Sequence, residues 1–204
     1  MSFAKAKIFG CVFTAPILVA GVASADNLLV NGDFETGDLT GWEVSGESGS
    51  SSGVAQPGDN GPSAAGNYNA FLDNQAQAIG LTLKQPTEVG TAIPGNVQYS
   101  FDLKLDQADV GGVLFVEIFA EQEGVGIIGG SGLMGPFWPW NDWESYGGSF
   151  EAPLGTDFLT IQFVATTGAT VGSTCIAHVD NVVLDQGTVD ANDSSWSEVK
   201  ALFR

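Results

Sequence analysis

The feature that most constrains the fold is a nine-residue alternation: Val97, Tyr99, Phe101, Leu103 and Leu105 are interleaved with Gln98, Ser100, Asp102 and Lys104. Successive side chains of an extended strand point to opposite faces, whereas a helix would scatter these residues around its circumference. The segment reads as a strand with one face on a core and the other on polar surroundings. Leu159, Ile161 and Phe163 repeat the pattern against Thr160 and Gln162. Further β-rich runs cover 42–45, 70–72, 79–83, 113–120 and 176–184, separated by glycine, serine, threonine, asparagine and proline. No long stretch of period 3.6 interrupts them between 26 and 186. The fold class is all-β. Eight or nine strands at this spacing predict a two-sheet sandwich of the jelly-roll kind, each strand giving alternate residues to a shared core.

The chain has 204 residues, with 24 Asp and Glu against 6 Lys and Arg, enough for one packed domain. So acidic a surface repels phosphate backbones and anionic headgroups, which excludes nucleic acid as a partner. Lys5 and Lys7 precede an uncharged apolar run over 8–22 and the small residues Ala23-Ser24-Ala25, the pattern of a secretory signal peptide over 1–25. The run is shorter than the roughly 20 residues that a membrane span needs, so the expected product is secreted, with no membrane insertion of the mature chain. Removal of the leader takes Cys11 with it and leaves Cys175 alone, which rules out an intrachain disulfide.

The domain then covers 26–186. Within it 47–66, rich in serine, glycine and proline, and 121–142, glycine-rich and ending in Pro136-Phe137-Trp138-Pro139-Trp140, are expected to be loops. Over 187–204 a polar linker leads to Ser195-Trp196-Ser197-Glu198, a capping-box spacing that opens a short amphipathic helix. Trp196, Val199 and Phe203 share one stripe of it and offer a contact for a surface or partner, and Lys200 and Arg204 lie in its last turn.

Asn27-Leu28-Leu29-Val30-Asn31-Gly32-Asp33-Phe34-Glu35, followed by Gly37 and Gly41-Trp42, opens the domain, and Val179-Asp180-Asn181-Val182-Val183-Leu184 closes it. Together with 143–150 and Ala152-Pro153, these segments resemble carbohydrate-binding modules of the cenC-like type (families 4, 9 and 22), which share a galactose-binding-like jelly roll. The resemblance implies a non-catalytic binder of polysaccharide or oligosaccharide, stabilised by a calcium ion. It places Asp180 of the closing motif and Glu35 of the opening one at that ion, and Asn181 stands where the family often has a second Asp. Taken by themselves, Asp33 and Glu35 are two apart and would point the same way in an extended segment, so Asp33, Glu35 and Asp180 form the candidate metal set. The competing assignment is that these acids cap local backbone amides.

A pyranose needs flat apolar groups against its C–H face and polar partners for its hydroxyls. Proline on either side of Trp138 stiffens the loop that carries Trp138 and Trp140, with Asn141 and Asp142 beside them. These four, with Gln98 and Asp102 on the polar side of the central strand, are the candidate sugar contacts. The alternative is that the loop folds back over an apolar edge. Trp42 and Trp143 are expected to pack rather than to bind. With 24 acids, some pair of carboxylates is near any point of the surface, and so proves no hydrolysis. His178 is the sole histidine, is expected to be structural, and no nucleophile signature accompanies it. The expectation is therefore not an enzyme; an extracellular adhesion protein and a small glycoside hydrolase are the alternatives.

Overall fold

The computed structural model of the chain describes residues 27–46, 48–55 and 66–187. The leader over 1–25, most of the first expected loop and the tail with Trp196, Val199 and Phe203 lie outside the described residues. Among the described residues eleven strands are formed: β1 (Glu43–Ser45), β2 (Ser50–Ala55), β3 (Asn69–Asn74), β4 (Gly80–Pro86), β5 (Gly95–Asp109), β6 (Val113–Gln122), β7 (Gly126–Gly130), β8 (Met134–Phe137), β9 (Glu144–Ala152), β10 (Phe158–Thr166) and β11 (Thr174–Asp185). They make two antiparallel sheets in a jelly-roll sandwich. One has the order β1-β4-β10-β6-β7, with β8 also on β6, and the other the order β2-β3-β11-β5-β9.

The alternating phases meet as the sequence requires. Leu81, Leu83, Leu114, Val116, Ile118, Leu159, Ile161 and Phe163 from the first sheet face Val97, Phe101, Leu103, Leu105, Ala177 and Val179 from the second, all but inaccessible to solvent. Phe101 and Phe163 meet edge to face across the two sheets, with ring centroids 5.5 Å apart. Each such side chain contributes about 1.5–3 kcal/mol through its burial. Trp42 packs as expected: it tilts against Phe34 and Phe163, and its indole N–H donates to the Asn31 carbonyl.

The opening segment lies beside the end of β11. Leu28 N–H donates to Leu184 O and Val182 N–H to Gly32 O. The Asn27 carboxamide accepts from the amides of Leu29 and Leu184 and donates to Val182 O. From the other sheet the buried Gln85 carboxamide closes a ring with Val30, accepting from its N–H at 2.6 Å and donating to its carbonyl at 2.9 Å. Two polar side chains thus supplement the main-chain bonds that join this segment to β11.

Three strands depart from expectation. β2 lies in the stretch expected to be a loop, and β7 and β8 lie in the other. All three lie at sheet margins, where main-chain hydrogen bonds suffice and little side-chain alternation is demanded.

Candidate functional site

The outer faces of the two sheets have similar sequence character and different surroundings. On the first sheet the register aligns outward side chains in rows: Glu121 opposite Phe158, then Phe119-Thr160-Pro86, then Glu117-Gln162-Lys84-Glu43. Phe119, Phe158, Ile127, Pro86, Lys84, Glu121, Thr160 and Gln162 line an open groove of about 310 Å³. Thr160 Oγ1 donates to Glu121 Oε1 at 2.5 Å, and Lys84 is paired with Glu43 at 3.2 Å, so both charged groups are oriented before any ligand arrives. The floor combines aromatic carbon with carboxylate, carboxamide, hydroxyl and ammonium groups.

Sequence reasoning missed this face, although it left a signal. In β6, Phe115 and Phe119 fall in the same phase as Glu117 and Glu121, opposite to Leu114, Val116, Ile118 and Ala120, which fill the core. An aromatic residue in the outward phase of a strand has been placed on the surface.

The outer face of the second sheet is closed over its middle, while Gln98 and Ser100 in the same phase of β5 stay exposed. Asn69, Asp102, Lys104, His178 and Asp180 project from it, yet none exceeds 9 % exposure. They bond to one another and to their neighbours: His178 Nδ1 to Asn69 Oδ1 at 2.8 Å, His178 Nε2 to Asp106 Oδ2 at 3.0 Å, and Lys104 Nζ to Asp106 Oδ1 at 2.8 Å. Trp143 lies over this layer, edge to face with His178 at 6.2 Å, so it packs as expected, with its indole N–H buried and without a hydrogen-bond partner. Burial pushes the Asp106 carboxyl up, but the Lys104 bond and the adjacent His178 outweigh it and hold it below the usual carboxylate range. Burial holds His178 below the usual imidazole range despite Asp106.

Two candidate contacts therefore differ. Asp102 is 8 % exposed and accepts from Ser145 Oγ and Asn181 Nδ2, which leaves its carboxylate committed to the fold, whereas Gln98 is exposed. The polar side of β5 is thus divided: Asp102 and Lys104 lie in a buried hydrogen-bonded layer, whereas Gln98 and Ser100 are exposed.

Trp138 and Trp140 are 45 % and 46 % exposed, and Asn141 and Asp142 are exposed beside them. Their loop is held to β5 where β9 has ended: Leu105 N–H donates to Pro139 O at 2.7 Å, and Asn141 N–H donates to Leu105 O at 3.0 Å. The two indoles stand on a fixed main chain at the edge of the second sheet, away from the groove.

The three acids of the candidate metal set do not come together as one cluster. Asp33 is exposed and accepts from the Glu35 amide. Glu35 takes the Asn67 amide at 2.6 Å and the Tyr68 amide at 2.9 Å, and these bonds, Tyr68 first, hold its carboxyl below the usual range. Asp180 is fully buried and accepts from the Asn181 amide. Among the described residues no three acidic, histidine or cysteine side chains gather to hold a metal, and Ca²⁺ takes six to eight oxygens. As placed, the set does not fit the ion, and Glu35 caps backbone amides as the alternative had it.

No protein-family model matches the chain, and no curated protein matches it. Solved structures do. A family 61 carbohydrate-binding module in complex with β-1,4-galactotriose superimposes with a TM-score of 0.56 at 16% identity, covering 80% of this chain and 100% of that one. The CBM22-1 xylan-binding domain of Paenibacillus barcinonensis Xyn10C gives 0.55 at 15%, covering 79% and 94%. The enzymatically active domain of bacteriophage CBA120 tailspike protein 4 gives 0.61 at 13%, covering 78% of this chain but only 21% of its own length. At these identities the likeness is one of architecture: the chain has the two-sheet β-sandwich fold found in carbohydrate-binding modules.

Proposed function

We propose that the protein is a secreted, non-catalytic polysaccharide-binding module whose ligand lies across the outer face of the first sheet. The observation that carries this reading is the contrast between the two outer faces: the middle of one is a buried hydrogen-bonded layer around Asp102, Lys104, His178 and Asp180, and the other is an open groove with Phe119 and Phe158 beside Gln162, Glu121 and Lys84. Sugar C–H faces would stack on the two phenyl rings, and hydroxyls would pair with the carboxamide, carboxylate and ammonium. The solved modules of this architecture named for xylan and galactotriose support the same class of partner.

Affinity electrophoresis against soluble and insoluble glycans tests the reading. At least one glycan is expected to retard the protein, and Phe119→Ala with Phe158→Ala to weaken that binding about tenfold, the equivalent of about 1.4 kcal/mol. Retardation unchanged in that variant but lost in Trp138→Ala with Trp140→Ala would move the site to the loop with Asn141 and Asp142. No retardation by any glycan would favour an adhesion role. Calcium enters only as a question of stability, since the three carboxylates do not make a site by themselves. A melting midpoint raised by calcium and lowered by chelator would bring the ion in, and equal midpoints would remove it.

A further inference from the structure

We propose that the groove of the first sheet and the loops at its mouth are covered by the chain's own C-terminal segment, 196–204, which therefore competes with any external ligand there. The consequence for glycan rests on the function proposed above; the covering itself does not.

The described chain ends tied to the loops beside the groove. Gln186 is held by a pair of hydrogen bonds to Ile93, donating from Nε2 to its carbonyl at 2.6 Å and accepting its N–H at Oε1 at 2.9 Å. Next to Ile93, the Ala92 amide donates to Asp157 O, as does that of Gly90, and Asp157 immediately precedes Phe158 of the groove. Asp157 also takes the Glu123 amide on its carboxylate and donates its own N–H to Glu121 O. One residue thus ties together the loops after β4, β6 and β9 at the pole of the sandwich where the chain leaves.

That pole is apolar. Val89, Ile93, Val125, Ile127 and Leu154 are between 40% and 90% exposed, and all lie on those three loops or on β7 at the lip of the groove. Large apolar side chains collected in this way mark a contact surface. The tail has the complementary composition: Trp196, Val199 and Phe203 at three- and four-residue spacing, with Lys200 and Arg204. Between 26 and 187 the cationic side chains are Lys84 and Lys104, both in ion pairs with acids of the sandwich. Glu117, Glu121 and Glu123 in and beside the groove therefore find their cationic complement in the tail. Reach is sufficient. Trp196 lies nine positions beyond Gly187, a span of up to ~30 Å when extended, against ~10 Å across three strands.

Hydroxyl-radical footprinting of the full secreted chain reads the covering directly. In the wild type Phe119, Phe158 and Leu154 are expected to be protected. Trp196→Ser with Phe203→Ser should raise their oxidation several-fold with no change in melting midpoint. Lys200→Glu with Arg204→Glu should do the same, and raised salt should mimic it in the wild type. Equal oxidation in the wild type and both variants would overturn the proposal. Protection lost on dilution would overturn it as well, by assigning the cover to the tail of a second copy. Footprints that respond to the tail in a protein that retains no glycan would uphold the covering and sink the sugar reading alone.

Discussion

His178 shows how a residue's surroundings decide its chemistry. It is fully buried with both ring nitrogens occupied, and burial holds its pKa below the ordinary imidazole value of 6.5. The folded protein therefore keeps it neutral, while the unfolded chain takes up a proton as pH falls below about 6.5. A depressed folded pKa contributes stability that is present above the unfolded value and is lost as pH falls toward the folded one. Thermal melting is expected to show a midpoint that declines on acidification from neutrality, with His178→Gln flattening the decline. An equally steep decline in the variant would assign it to carboxylates alone. The sequence identified this histidine as structural through its solitude, but not its partners Asn69 and Asp106, which come from strands 109 and 72 residues away.

At the scale of elements, the alternations at 97–105 and 159–163 announced β5 and β10 because a half-buried strand imposes period two on its side chains. What alternation does not say is which outward face stays open. Gln98-Ser100-Asp102-Lys104 and Glu117-Phe119-Glu121 both occupy polar phases, and burial of Asp102 and Lys104 by contacts with distant chain is invisible in the pattern. β2, β7 and β8 were hidden for the opposite reason, since short marginal strands rich in serine and glycine carry no apolar rhythm. The seam between the opening segment and β11 rests on Gly32, where an added Cβ would stand 2.2 Å from Val182 O. Gly32→Ala must push the two chains apart and is expected to cost roughly 2 kcal/mol or more, read as a midpoint several degrees lower. An unchanged midpoint would mean that the seam adds little to stability.

Over the whole molecule, the sandwich was legible from strand phase and count, and the meeting of its two extremities from the paired motifs that open and close the domain. The proposed binding face was not legible, because it depends on what lies above each sheet. Cys175 offers a reporter for the integrity of the whole. It is buried in the shared core, which pushes its thiol up to about 12, so the reactive thiolate is scarce near neutrality. A disulfide reagent is expected to modify it only as fast as the domain opens, with modification accelerating in step with denaturant unfolding. Rapid labelling under native conditions would place a local opening at β11.

The antiparallel run of the opening segment against the end of β11 brings residues 27 and 187 out of the body at one pole. A chain tethered through both would load that seam as a zipper rather than in shear. Its main-chain bonds at Leu28 and Val182 would break in succession, each meeting the full pull alone, so mechanical failure would begin where the ends emerge and at modest force, well before the double-sheeted interior felt any strain.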